Sequence, residues 1–269
     1  HPIVTRYIQQ LGERLVSQSG SSQPFTFFVV DAPDINAFAM LGGYIGVNSG
    51  LILASESESE LASVIAHEIA HVTQNHLLRG VEKANKAQLP LTAALLAAIL
   101  LGNQNPQLAQ AAIASTIAGG QQLQLSFSRA HEQEADRLGV NWLADAGFDP
   151  SGMALFFQKL QQQSRYYSLA PEYLSTHPIT TSRVSDARNR SEQYAHRPSS
   201  PNSLLFHSTR AILSSSSPQI LASAESAHPP TLLQQQESQY TQALRHLKQH
   251  QPEAALPIIQ RLNQHSPSH

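Results

Sequence analysis

The stretch from His67 to His71, with the sequence His-Glu-Ile-Ala-His, constrains the fold of this chain more than any other feature. On a helix, residues four positions apart lie on one face, so both imidazoles can hold the same metal ion. Glu68 lies one position further round, where its carboxylate reaches a water on that metal and can act as a general base. The sequence therefore predicts a helix that carries part of a metal site.

Signals for the start of this helix precede the histidines. Ser55 and Ser57 are each followed three residues later by a glutamate, which is the capping-box pattern, and acidic residues suit the positive end of the helix dipole. Apolar residues recur at steps of three and four along the same segment: Leu61, Val64, Ile65, Ile69 and Val72. We expect a helix that starts between Ser55 and Ser59, buries this stripe, and holds both histidines on a flank.

The composition limits which residues can complete the site. The 269 residues contain no cysteine, which excludes thiolate ligands and disulfides. The net charge is −2, and the sequence lacks the basic stripe with interleaved aromatic residues that would predict a nucleic-acid surface. The apolar run from Leu91 to Leu101 falls short of the ~20 residues that span a bilayer, so we expect no transmembrane segment, although the sequence allows contact with a membrane surface.

A third protein ligand decides whether two histidines form a metal site, and two arrangements are common. In H-E-x-x-H-x-x-G-x-x-H the third histidine would fall at position 77, which is Leu77, so this arrangement is excluded. His76 is one position away from that spacing, and we interpret it as a hydrogen-bonding residue at the helix end. The other arrangement takes a carboxylate from a later helix.

The segment from Ser126 to Ala146 has helical spacing and carries three candidate carboxylates. Glu132 and Asp136 share a face, so Glu132 can bind the metal while Asp136 hydrogen-bonds a ligand imidazole. Spacing alone leaves Glu132 and Glu134 as alternatives. An acidic face exposed to solvent is a third interpretation of the cluster.

The rest of the chain predicts an α+β fold, mostly helical with a small sheet. The expected elements are helices over 4–16, 153–163 and 181–193, a strand over 24–30, a β-hairpin around Gly42 and Gly43 whose second strand breaks at 48–50, a loop over 166–172, and an Ala-rich helical hairpin over 91–118 that packs in the core or covers the cleft.

Changes in composition predict three parts. Residues 1–196 form the metal-binding domain, and 197–231 form a Ser/Pro-rich linker with a short helix at 204–213. Residues 232–269 form two helices broken near Gln251 and Pro252, which resemble one tetratricopeptide unit. A single unit cannot bury its own face, so we expect that the chain is truncated before further repeats. The alternative is a helical cap on the first domain.

Three motifs together resemble a known family. H-E-I-A-H, S-R-A-H-E-Q-E-A-D-R-L-G and N-A-F-A-M-L-G-G-Y-I-G-V-N-S-G-L-I are similar to the zinc metallopeptidases that include the CAAX prenyl proteases, HtpX and the Oma-type proteases. The likeness covers roughly Pro2 to Asn189 and is greatest for periplasmic members with a tetratricopeptide tail. It implies a zincin-like metalloprotease domain with one Zn²⁺ per chain, Glu132 of E-x-x-A-D as the third ligand, and Asp136 behind the ligands.

The resemblance also assigns roles to His177 and Arg183. On its own, a histidine before Pro178 is typical of a surface loop. The resemblance instead implies that both residues lie near the metal, where they stabilise an oxyanion, and that His177 can become a fourth ligand. Because a zinc ion with four protein ligands has no room for water, His177 is then predicted to act as a switch.

The predicted function is a periplasmic zinc endopeptidase that hydrolyses misfolded or stalled envelope proteins. The strand around Ala37 to Leu41 is expected to hold an extended substrate by β-addition. The alternative is a chaperone or assembly factor for outer-membrane β-barrel proteins whose protease site is largely silent. Unfolded or misassembled proteins and the outer-membrane assembly machinery are the implied partners. The chain begins at His1 rather than Met, and we expect that a targeting segment has been removed.

Overall fold

The computed structural model describes residues 1–80, 82, 129–166, 171–194, 196–216 and 231–265. The Ala-rich helical hairpin predicted over 91–118 lies outside the described residues. Two helices are described in part, α4 over 76–80 and α5 over 129–145. The other elements are α1 (Pro2–Ser19), β1 (Thr26–Val30), β2 (Ala37–Met40), β3 (Tyr44–Asn48), α2 (Ser49–Ala54), α3 (Glu58–Thr73), α6 (Gly152–Tyr166), α7 (Glu172–Thr176), α8 (Thr181–Glu192), α9 (Leu204–Ser216), α10 (Leu232–Lys248) and α11 (Pro252–His265). The predicted α+β class is confirmed.

Within the part of the chain that the structure describes, the sheet has three strands in the order β1-β3-β2, with β1 parallel and β2 antiparallel to β3. Gly42 and Gly43 connect β2 to β3 at φ angles of +88° and +82°, which residues with a side chain rarely adopt. The predicted hairpin is therefore confirmed. Strand β2 is an outer strand of the sheet and packs beside α3.

The predicted strand break at residues 48–50 is present and leads into α2, a short helix that the sequence analysis did not predict. Ser49 Oγ donates to the carbonyl of Ala32 at 2.9 Å, and the Gly50 amide donates to the same carbonyl at 2.9 Å. A Cβ on Gly50 would lie 2.0 Å from the Pro33 oxygen, so only glycine allows this approach. The turn places α2 directly before α3.

Helix α3 begins as the capping signals predict. Its N-cap is Ser57, whose side chain accepts a hydrogen bond from the Glu60 amide at 3.1 Å, and Glu60 Oε2 accepts from the Glu56 amide at 2.9 Å. Every residue from Glu58 to Val72 is buried, so the helix is enclosed on all sides rather than on one stripe. Packing against α1, α6 and β2 therefore places both histidines in the interior.

The short helix predicted at 204–213 is present as α9, and it makes close contacts with the preceding domain. Phe206 is fully buried in the core. Arg210 Nη1 donates to the carbonyls of Ile52 at 3.2 Å and Leu53 at 2.8 Å, which satisfies groups at the end of α2. The proposed boundaries of the linker stay a prediction, but residues 204–216 pack as a continuation of the domain.

Truncating Phe206 tests whether α9 belongs to the same folding unit. Phe206→Ala is expected to lower the free energy of unfolding by about 3–5 kcal/mol, because it empties a large buried site. The matched control is Leu205→Ala at the neighbouring residue, which is 46% exposed and should cost under about 1 kcal/mol. Denaturant unfolding followed by circular dichroism measures both. Equal midpoints for the two variants would show that α9 is not part of the unit.

Helices α10 and α11 separate at residues 249–251, close to the predicted break. Helix α10 packs on both α9 and α11. Its first turn carries a full capping box between Thr231 and Gln234. The assignment as a tetratricopeptide unit stays a prediction. Among the described residues, no helix combines the length and the hydropathy needed to cross a bilayer.

Candidate metal centre

Four side chains from three parts of the chain meet in the interior. His67 and His71 come from α3, Glu132 from α5, and His177 follows α7. One donor atom from each lies within 4.8 Å of all the others. The Nε2 atoms of His67 and His71 are 2.9 Å apart, and the two oxygens of Glu132 lie 3.4 and 3.3 Å from them. The structure thus brings together the residues that the sequence analysis placed at the metal.

His177 lies on the same group of atoms. Its Nδ1 is 3.3 Å from His67 Nε2 and 3.0 and 3.1 Å from the two oxygens of Glu132. The ring stacks on Tyr173, with ring centroids 4.7 Å apart and an interplanar angle of 25°. His177 therefore points inward, against the tendency of a histidine before proline to lie at the surface.

The spacing of these atoms fits a metal ion. A tetrahedral ion with ligand bonds of about 2.0–2.1 Å holds its ligand atoms about 3.3 Å apart. The separations from His67 Nε2 to His71, Glu132 and His177, and from Glu132 to His71 and His177, range from 2.9 to 3.4 Å, and all four donor atoms lie within 4.8 Å of one another. Neutral imidazoles whose bare nitrogens face each other repel unless a proton or a cation lies between them, so mutual hydrogen bonding does not account for the whole group. Three nitrogens and one carboxylate form a donor set without sulfur, as the lack of cysteine requires.

Asp136 and Arg183 contact two members of this group, His67 and Glu132. Asp136 Oδ1 lies 2.9 Å from His67 Nδ1, where the sequence analysis expected it. Arg183 donates to both Asp136 oxygens at 2.6 and 2.7 Å, its Nη1 lies 2.8 Å from Glu132, and it donates to the Pro178 carbonyl at 2.8 Å. These contacts occupy the buried guanidinium. Its predicted action on an oxyanion stays a prediction, and the contacts favour a role in holding the two carboxylates.

Glu68 lies beside the group without belonging to it. The side chain is 1% exposed, and its Oε1 is 3.5 Å from His177 Nε2. Burial raises the pKa of Glu68, because the charged form loses its hydration. A carboxylate with a raised pKa is a better proton acceptor at neutral pH, as a general base requires.

The protonation of the ligands follows from their neighbours. Burial lowers the pKa of His71 to about 3, so this imidazole is neutral and can bind a cation. Burial also acts to lower the pKa of His67, but its hydrogen bonds to Asp136 and Glu132 outweigh burial and raise that pKa to about 9. Burial opposes ionisation of Glu132, yet hydrogen bonds from His177 and His67 hold its pKa well below the usual range. The centre therefore contains an ionised carboxylate in a site that attracts a cation.

Glu134 takes part in a different cluster. It lies 3.1 Å from His76 Nε2 and 3.2 Å from Arg79 Nη1. His76 in turn contacts His71, with the two Nδ1 atoms 3.1 Å apart, and its ring stacks on His131 with centroids 4.0 Å apart. His76 is thus a hydrogen-bonding residue, as interpreted from the sequence. Glu132, and not Glu134, is the carboxylate that faces the nitrogens of His67, His71 and His177.

Tyr173 packs on His177 and was not predicted from the sequence. This side chain is fully buried and lies between His177 and Phe156. It precedes His177 by four residues, and the His177 amide donates to its carbonyl at 2.8 Å. An aromatic residue one helical turn before a candidate ligand was the signal that could have identified it.

Comparisons with known proteins agree with a metallopeptidase site in this chain. The model of peptidase family M48 matches residues 2–191. The β-barrel assembly-enhancing protease of Yersinia pestis is 47% identical over 214 residues, which cover 78% of this chain and 44% of that protein. Metalloprotease LoiP of Escherichia coli (strain K12) is 32% identical over 172 residues, covering 63% of this chain and 64% of that protein.

The mitochondrial metalloendopeptidase OMA1 of Arabidopsis thaliana is 35% identical over 150 residues, covering 56% of this chain and 28% of that protein. The chain spans less than half the length of the β-barrel assembly-enhancing proteases that it matches. The resemblance inferred from the three motifs is confirmed, and with it the prediction of a metallopeptidase. The chain belongs to peptidase family M48.

Proposed function

We propose that the chain is a zinc-dependent endopeptidase whose zinc is held by His67, His71 and Glu132. One observation carries this proposal, namely the convergence of three imidazoles and one carboxylate, whose donor atoms all lie within 4.8 Å of one another, beside the buried Glu68. Zinc is favoured because it accepts four nitrogen and oxygen ligands in a tetrahedral arrangement. Relatives named as a metalloprotease and a metalloendopeptidase support the same assignment.

In this proposal, the residues around the zinc ligands have separate roles in proton transfer, in ligand orientation and in substrate binding. When bound, zinc makes water a nucleophile at neutral pH and polarises the peptide carbonyl. Glu68 accepts the proton of the attacking water and returns it to the leaving amine. Asp136 holds the His67 ring through Nδ1, and Arg183 keeps Asp136 and Glu132 ionised. The outer strand β2 beside α3 offers backbone groups to an extended substrate.

His177 is proposed to close the site as a fourth zinc ligand. Its Nδ1 lies within 3.3 Å of donor atoms of His67 and Glu132, and Tyr173 packs on its ring. In that arrangement no position remains for water, so the enzyme is self-inhibited. Movement of His177 away from the metal would then start hydrolysis.

Removing this imidazole tests the gate. His177→Ala is expected to raise the rate of casein hydrolysis at saturating zinc by at least about tenfold, because the fourth position opens. Ser175→Ala is the matched control. Ser175 is exposed on α7, the short helix that directly precedes His177, so this variant should leave the rate unchanged. An unchanged rate in His177→Ala would contradict the proposal that His177 closes the site. A loss of rate would instead assign the imidazole to the reaction itself.

For the substrate and location, we propose misfolded or stalled envelope proteins, including outer-membrane β-barrel precursors, in the periplasm. The support is the similarity to proteins named β-barrel assembly-enhancing proteases. The second candidate function is assembly or chaperone activity with a largely silent protease site, which the four-donor arrangement around Glu132 favours. Light scattering of a diluted, unfolded outer-membrane barrel distinguishes them. Suppression of aggregation by Glu68→Gln as well as by the parent favours the second function, whereas suppression that requires Glu68 favours the first.

A further inference from the structure

The second ring nitrogen of His71 has an unusual partner. His71 faces the metal group with Nε2, and its Nδ1 lies 3.1 Å from Nδ1 of His76. His76 Nε2 lies 3.1 Å from Glu134 Oε2, and Arg79 Nη1 donates to that oxygen at 3.2 Å. The four side chains form a continuous line from the buried centre to the surface, where the Arg79 side chain is 48% exposed.

If His71 binds a metal through Nε2, the hydrogen-bond partners determine which ring nitrogen of His71 and of His76 carries a proton. Because Nε2 of His71 must present a lone pair to a metal, a neutral His71 carries its proton on Nδ1 and donates it to His76. His76 Nδ1 must then accept, so its own proton lies on Nε2 and is donated to Glu134. Glu134 accepts from both His76 and Arg79, which keeps it ionised.

The backbone conformation just after α3 brings His76 into contact with His71. Helix α3 ends at Thr73, and Asn75 adopts φ +53°, a left-handed conformation that asparagine tolerates better than most residues. The reversal folds His76 back onto His71, five residues earlier. The His76 ring is 3% exposed and lies parallel to the ring of His131 at 8°, so packing fixes its plane.

We propose that His76, oriented by Glu134, is a positioning residue that fixes the tautomer and orientation of His71 for metal binding. This rests on the proposed function, in which His71 is a zinc ligand. It gives His71 the support that Asp136 gives His67. Partners of this kind commonly account for about 10- to 100-fold in metal affinity.

Two substitutions at His76 separate hydrogen bonding from packing. His76→Phe keeps an aromatic ring against His131 but has no acceptor, and it is expected to weaken zinc binding by about 10- to 100-fold. His76→Asn places its Oδ1 where Nδ1 was, so it should restore affinity to within about threefold of the parent. Competition with a chromogenic chelator measures the affinity of the whole chain. Parent affinity in His76→Phe overturns the proposal, as does equal weakening in both variants.

A spectroscopic measurement on the parent avoids any dependence on variant folding. Long-range ¹H–¹⁵N correlation of the zinc-loaded chain should show His71 protonated on Nδ1 and His76 on Nε2. A His76 protonated on Nδ1 contradicts the proposal. If the parent binds no zinc at all, the proposed function fails. Zinc binding with the other His76 tautomer refutes the positioning role alone.

Discussion

In a His177→Ala background, where the proposed fourth ligand is absent, Glu68→Gln is expected to lower peptide hydrolysis by at least about 10³-fold while the chain binds as much zinc as its His177→Ala parent. General base catalysis contributes about 10²- to 10⁴-fold, and a carboxamide cannot accept the proton of the attacking water. Glutamine has nearly the volume of glutamate, so the enclosed helix α3 keeps its packing. Glu68 is also absent from the group of four donor atoms, so its charge is not needed to hold the metal.

The rate of casein hydrolysis and the zinc content of the same sample measure the two halves of this prediction. Glu56→Gln is the matched control, because Glu56 lies just before the same helix and its side chain is 65% exposed in an ion pair with Lys159. Exposed ion pairs contribute little to stability, so this variant should cleave at the parent rate. A chain with Glu68→Gln that cleaves as fast as its His177→Ala parent would contradict the assigned base.

Features set by local sequence were predictable. The start of α3 follows from a side chain that caps the helix within three residues, and the hairpin follows from two adjacent glycines at positive φ. The spacing of His67, Glu68 and His71 fixes their relative positions on any helix. The fold class and the relative placement of His67, Glu68 and His71 on α3 therefore needed no knowledge of tertiary packing.

The choice between Glu132 and Glu134 required more than spacing. Residues two apart on a helix point in roughly opposite directions, so only the packing of α5 against α3 decides which carboxylate faces the histidines. The family resemblance indicated Glu132 because it aligns a whole motif rather than one residue. The structure places Glu132 among the histidines and Glu134 on His76.

Other features depend on contacts that no short pattern encodes. Helices α2 and α7 have six and five residues, too few for a helical period to appear in the sequence. The contact between His76 and His71 depends on the left-handed backbone at Asn75, and the burial of His177 depends on its stack against Tyr173. Tertiary packing decides both.

Glu132→Ala is expected to remove most zinc from the chain. Zinc bound by protein ligands is worth about 10–16 kcal/mol, so one ligand of four accounts for about 2.5–4 kcal/mol, or about 70- to 1,000-fold in affinity. Gln133→Ala is the matched control one residue away, because Gln133 is exposed on the same helix. Both variants truncate one side chain on α5, but of the two residues only Glu132 contacts the nitrogens of His67 and His71.

The direct test is elemental analysis of zinc after loading and dialysis of the parent and both variants. About one zinc per chain is expected in the parent and in Gln133→Ala, with little in Glu132→Ala. A parent that holds no zinc, or a Glu132→Ala chain that keeps as much as the parent, would contradict the proposed metal centre.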